Sequence, residues 1–118
     1  MINKETRYKV YMKYHGHCAY CGKEIAYKDM QVDHIIPLNG YREQGTDDFD
    51  NLMPSCRRCN HYKRANSLER FRQNIEEIPS KLMRDNYIFK VGVDYGFFDS
   101  ENKNVRFYFE SHDEGKLQ

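Results

Sequence analysis

No stretch of the 118 residues approaches the apolar length of a membrane span, and residues 1–10 are charged without the apolar run of a secretory signal. The expectation is a cytoplasmic protein with no membrane partner. Internal repeats and low-complexity segments are also lacking, which leaves one domain over 1–118. An excess of either charge is missing too: 19 Lys and Arg against 18 Asp and Glu leave a net charge of +1, so the totals do not announce a nucleic-acid binder. At 39% hydrophobic and 31% charged, a chain of this size buries only a modest core and needs reinforcement.

Reinforcement is supplied by four cysteines in two Cys-x-x-Cys pairs, Cys18/Cys21 and Cys56/Cys59. In a reducing compartment thiols stay free of disulfides, and two such pairs suit a tetrahedral structural Zn²⁺. His17, beside Cys18, is an alternative zinc ligand. A redox use of Cys-x-x-Cys is disfavoured because no βαβ pattern surrounds either pair.

Along the chain, Asn3 caps a helix within 1–16 whose Tyr8, Tyr11, Met12 and His15 fall on one face as core, with Gly16 at its exit. A knuckle spans His17 to Cys21, closed by Gly22. Residues 25–38 read as a β-hairpin with Met30 to Ile36 as its second arm and Pro37 as its stop. Residues 39–50 form a polar loop. Pro54 and Ser55 lead into a short helix from Cys56 to about Arg64. A further helix begins at Asn66 or Ser67, in a capping box with Glu69, and carries the stripe Leu68, Phe71, Ile75 and Ile78 until Pro79 interrupts it. Tyr87 to Phe98 suits helix or strand, and the alternation of Val105, Phe107 and Phe109 predicts a half-buried strand over 105–110. A tail follows from Ser111. The segments are thus 1–16, a zinc-clipped core over 17–66, an extension over 67–110 and a tail over 111–118.

Between the cysteine pairs lie an acid, a base and an amide. A histidine ordinarily titrates near 6.5 and can accept a proton at neutral pH, which makes His34 the candidate general base. Asp33 is a hard oxygen ligand for Mg²⁺ or Mn²⁺, and Asn60 offers a second oxygen. His61 is the alternative ligand, rotated by about 100° on a helix. Neighbours on an ideal strand face opposite sides, so a bend or strand end is expected at Asp33-His34. Arg57, Arg58, Lys63, Arg64, Arg70 and Arg72 gather with Glu69 as their one nearby acid, giving a basic surface in spite of the balanced total.

The strings Cys-Ala-Tyr-Cys-Gly, Val-Asp-His-Ile-Ile-Pro-Leu, Asn51-Leu52 and Cys-Arg-Arg-Cys-Asn-His-Tyr-Lys, together spanning Cys18 to Lys63, resemble the HNH endonuclease family. The resemblance implies an α+β fold: a ββα-metal motif stabilised by a four-cysteine zinc site, with an N-terminal helix and a C-terminal helix-plus-strand extension. It implies that His34 is the general base, that Asp33 ligates the catalytic cation, and that Asn51 fixes the active-site loop by hydrogen bonding. Asn60 stands where many members carry His; the HNH modules of CRISPR effector nucleases are similar in having Asn there. The extension resembles that of small free-standing HNH proteins from phages and bacteria.

The function implied is one-metal hydrolysis of DNA by a monomer or homodimer, with structural Zn²⁺ and catalytic Mg²⁺, Mn²⁺ or Ni²⁺. Arg57, Arg58, Lys63 and Arg64 are the expected backbone-contacting cations. The alternative is a noncatalytic zinc ribbon that binds nucleic acid or protein, which shares the cysteines but has no need of Asp33, His34 and Asn60.

Overall fold

The computed structural model describes residues 2–40 and 43–112, so parts of the expected loop and tail, at 41–42 and 113–118, lie outside the described residues. The chain divides into two compact units, 1–68 with 106–118, and 69–105.

The first unit opens with α1 (Lys4–Met12), whose N-terminus is capped as expected: Asn3 Oδ1 accepts the Thr6 N–H at 2.8 Å. Its buried residue is Val10, and Tyr14 is buried just beyond it, whereas Tyr8 and Met12 are 56% and 40% exposed. The expected stripe of Tyr8, Tyr11, Met12 and His15 is therefore corrected. Tyr11 is half-buried and packs against the core, but the face turns on Val10. Aromatic bulk set the expected phase; the cluster of Val10, Met30 and Leu52, with Ile2, Tyr11, Ile25 and Val32 against it, sets the real one. His15 and Gly16 both take positive φ at the exit, and the Gly16 N–H reaches Tyr11 O at 3.1 Å.

The sheet has two strands, β1 (Gln31–His34) and β2 (Leu52–Ser55), antiparallel with His34 opposite Leu52 and Gln31 opposite Ser55. The expected hairpin over 25–38 is corrected: residues 27–29 form a 3₁₀ turn, and β1 finds its partner beyond the loop. Proline hid β2. Because Ile35 N–H donates to Asn51 O, alternation makes Asp33–Met53 a hydrogen-bonded pair and turns the Pro54 nitrogen away from β1, where no donor is required. Outward-facing carbonyls are taken up individually: Pro54 O by Ala19 N–H at 2.8 Å, Leu52 O by Lys13 Nζ at 2.5 Å, and His34 O by Lys63 Nζ at 3.0 Å. Neither edge is left open to another strand at these positions.

Helix α2 (Arg57–Lys63) follows with Cys56 as its cap, and Arg64 ends it at φ 55°. The last part of this unit corrects the expected strand over 105–110. Phe107 is buried edge-on to Tyr20, the Tyr108 and Phe109 N–H groups donate to Tyr20 O and Ala19 O, and α6 (Tyr108–His112) begins there. Glu110 accepts the Phe107 N–H at 2.7 Å, turning an alternating sequence into a helical cap.

The second unit is helical, with α3 (Leu68–Glu76), α4 (Ile78–Asp85) and α5 (Tyr87–Asp94). Pro79 stands in the first turn of α4, consistent with its missing N–H. Phe71 of the expected stripe is buried; Leu68, Ile75 and Ile78 are half-buried. Asn86 caps α5 through the Phe89 N–H, which settles 87–94 as helix. Glu76 accepts the Val105 N–H at 2.8 Å and Arg72 Nη1 donates to Val105 O at 2.7 Å, closing the unit.

Replacing Leu52, fully buried in the Val10 cluster, with Ala is expected to cost about 2–5 kcal/mol in urea unfolding, whereas Met12→Ala is expected to stay within about 1 kcal/mol. Equal losses would contradict this placement of the core.

Candidate active site

The Sγ atoms of Cys18, Cys21, Cys56 and Cys59 lie within 4.8 Å of one another, and none is in a disulfide. Tetrahedral zinc at about 2.3 Å from each sulfur requires edges of about 3.8 Å; Cys21 and Cys56 stand 3.9 Å apart. The donor set fits Zn²⁺. The thiols crowd one another: a hydrogen bond from Cys59 lowers Cys18 to about 4, while Cys59 itself is pushed up. Gly22, at φ 82°, makes the return after the first pair.

Tyr20, inside that knuckle, is 3% exposed and donates its hydroxyl to Asp33 Oδ2 at 2.5 Å. Lys63, fully buried near the end of α2, places Nζ 3.2 Å from the same oxygen. Burial raises the Asp33 carboxyl, partly offset by the Lys63 charge and the Tyr20 hydrogen bond. Tyr20 is raised well above an ordinary phenol, first by burial and then by the Asp33 charge, so it stays a donor. Asp33 is thus a buried carboxylate whose two donors converge on Oδ2. Among the described residues no hydrogen bond reaches Oδ1.

This geometry corrects one expectation. Lys63 is not a surface cation for phosphate; its ammonium is committed to Asp33 and to His34 O. Arg57, Arg58 and Arg64 are exposed. In the second unit Arg72 is bound to Glu69 at 3.0 Å and to Val105 O, so the expected basic cluster loses that member as well. Acid–base pairing, invisible to a count of charges, removed both.

His34 ends β1 and still pairs with Leu52, so the strand end falls at the dipeptide and its two side chains serve different partners. His34 Nε2 lies 2.7 Å from Asp47 Oδ1, and this contact lowers the Asp47 carboxyl. Asn51 gathers the intervening loop: Oδ1 accepts the Ile36 N–H at 2.9 Å, and Nδ2 donates to Ile36 O at 3.0 Å and to Thr46 O at 2.8 Å. Gly45 permits this closure, since a Cβ would strike Ile36 O.

Asn60 lies one helical turn before Lys63, the α2 residue that reaches Asp33. It also borders an open groove of about 840 Å³ between residues 23–31 and the start of α2, lined by Lys23, Lys28, Arg57, Arg58 and His61. Asp33 and His34 do not line that groove. Asp33 and Asn60 both carry oxygen donors of the hard kind that Mg²⁺ prefers. Sequence reading missed Tyr20 and Asp47. The position of Tyr20 between two metal ligands was the one available signal.

Residues 18–66 match the family model described as HNH endonuclease. The chain is 37% identical over 57 residues to the CRISPR-associated endonuclease Cas9 of Corynebacterium diphtheriae, covering 48% of this chain and 5% of that protein. It is also similar to the crystal structure of the Type II-C Cas9 enzyme from Actinomyces naeslundii, with a TM-score of 0.52 and 26% identity over 67% of this chain and 10% of that one. The segment 18–66 that matches this model combines helix with a two-stranded sheet and holds the clustered four-cysteine site. The chain spans a small fraction of the length of these relatives.

Two outcomes follow from the buried charges and the sulfurs. Lys63→Met is expected to destabilise by about 3–5 kcal/mol in denaturant unfolding, because it strands the Asp33 carboxylate, and adding Asp33→Asn is expected to recover much of that loss. Stripping metal with a strong chelator is expected to collapse the circular dichroism of the first unit, since structural zinc contributes on the order of 10 kcal/mol, and Zn²⁺ alone should restore it.

Proposed function

We propose that this chain is a metal-dependent DNA endonuclease that hydrolyses phosphodiester bonds with His34 as general base. The observation that carries the reading is the meeting of β1 and α2. A zinc-fitting clip sets Asp33 and His34 beside the helix bearing Asn60, within a segment that matches the HNH model.

Asp47 beside Nε2 favours the tautomer with the proton there, which leaves the Nδ1 lone pair as the acceptor. A water proton passes to His34 Nδ1 as the water oxygen attacks phosphorus. The P–O3′ bond breaks, and the products carry a 5′ phosphate and, once the leaving oxygen gains a proton, a 3′ hydroxyl. Asp33 and Asn60 would hold one Mg²⁺, Mn²⁺ or Ni²⁺, which supplies neutralisation of charge on the phosphoryl and leaving oxygens. The Lys63 charge opposes the rise that burial imposes on Asp33 and so favours its ionised form, the form a cation requires. Asn51 holds the loop that presents Asp47 to His34. Arg57, Arg58 and Arg64 are the backbone-positioning cations, with no reading of sequence. The reading takes 1–118 as one nuclease domain, cytoplasmic, acting as a monomer or homodimer on DNA. Asn60 is preferred to His61 because it precedes Lys63 by one turn, and Lys63 reaches Asp33.

A plasmid assay with Mg²⁺, Mn²⁺ or Ni²⁺ is expected to give chelator-sensitive cleavage, and His34→Ala is expected to lose at least about 100-fold with zinc content and fold unchanged. Full activity in that variant overturns the base assignment. Absence of cleavage with every cation by intact, zinc-loaded protein returns the domain to a noncatalytic zinc ribbon.

A further inference from the structure

We infer that Tyr20 is a positioning residue through which the zinc knuckle controls the affinity of the neighbouring site for its divalent cation, an inference that rests on the reading of Asp33 as a cation ligand. Tyr20 lies one residue before Cys21 and two after Cys18, so its backbone is fixed by the sulfurs that would hold zinc. Its ring is locked between Phe107 and Phe109, with centroids at 5.3 and 6.2 Å in edge geometry. Its backbone carbonyl accepts the Tyr108 N–H at 3.0 Å. So held, the ring delivers its hydroxyl to Asp33 Oδ2 at 2.5 Å.

The carboxylate is consequently held by one oxygen. Tyr20 and Lys63 both address Oδ2, so rotation about the Cβ–Cγ bond is blocked and Oδ1 is the oxygen presented to a cation. Lys63 alone does not fix that rotation, because a point charge is indifferent to which oxygen it faces. The directional hydroxyl does. Ligating carboxylates lose about 10–100-fold in cation affinity when such a supporting hydrogen bond is removed. A knuckle bound to zinc and a carboxylate aimed at a second cation are then two ends of one rigid lever, with Tyr20 as its arm.

The test uses Mn²⁺ binding to zinc-loaded, full-length protein, read by electron paramagnetic resonance of free Mn²⁺, alongside zinc content and thermal unfolding. Wild type is expected to bind one Mn²⁺ that Asp33→Ala abolishes, and Tyr20→Phe, which keeps the ring, to bind it at least about tenfold more weakly with zinc retained. Val10→Ala, which loosens the core away from Tyr20, is expected to lower the melting temperature without that loss. Equal Mn²⁺ affinity in Tyr20→Phe and wild type overturns the role of Tyr20 and leaves Asp33 as a ligand. No Asp33-dependent Mn²⁺ binding in wild type overturns the ligand reading, and this inference with it. Should Tyr20→Phe fail to retain zinc, the Tyr20 hydroxyl proton in the wild-type nuclear magnetic resonance spectrum decides. Displacement of that resonance on adding Mg²⁺ supports the coupling, and an unmoved resonance overturns it.

Discussion

Four sulfurs within 4.8 Å of one another close a loop that begins at Cys18 and ends at Cys59, and Tyr20, Asp33, His34 and Asn51 all lie inside it. A two-stranded sheet has no independent stability worth counting. Here β1 and β2 persist because the knuckle donates Ala19 N–H to one outer carbonyl of the sheet and because the second cysteine pair starts the helix that delivers Lys63 to another. The clip therefore acts on the sheet from both sides. Its contribution is less a single strong bond than the removal of loop freedom from every short element it spans.

Within that frame the costly choice is the burial of Asp33 and Lys63. A paired, dehydrated carboxylate and ammonium seldom stabilise a fold more than apolar residues of the same volume would. A phenol hydroxyl aimed at the same oxygen reduces the cost but leaves Oδ1 without a hydrogen bond among the described residues, so the set resembles a device for orientation more than for stability. A single fixed carboxylate oxygen is what a small, hard cation asks of its protein ligand. Asn51 plays the corresponding part on the loop side, with three hydrogen bonds to main-chain atoms of residues 36 and 46 that leave the Thr46–Asp48 stretch beside His34.

The sequence made these parts legible unevenly, for physical reasons. Cys18, Cys21, Cys56 and Cys59 could be read because their chemistry demands a spacing that few other uses share. Asn3 and Asn86 sit where caps sit, but Asn86 was passed over because the aromatic, β-branched run behind it argued equally for a strand. β2 was invisible: Pro54 signals a break unless the alternation of the ladder is known, and that alternation is set by a partner 22 residues away. Sequence alone puts Lys63 on the surface because lysine is almost never fully buried, and the acid that makes its burial tolerable is fixed only in three dimensions. Phe107 and Phe109 alternate like a strand, and nothing local shows that Glu110 will fold the chain back onto Phe107.

Asp33 and His34 pose the sharpest question of geometry, since adjacent residues of a paired strand project to opposite faces. Register supplies the resolution. Val32 packs against the Val10 cluster, so the face it shares with His34 looks toward α1, while Asp33 looks toward Tyr20 and Lys63. His34 is the last residue of β1, and one more ladder bond, Ile35 N–H to Asn51 O, carries the chain into the loop. The His34 carbonyl is held by the same Lys63 ammonium that faces Asp33, and its ring is met by Asp47 from the loop that Asn51 gathers. One lysine thus ties the backbone of His34 to the side chain of Asp33.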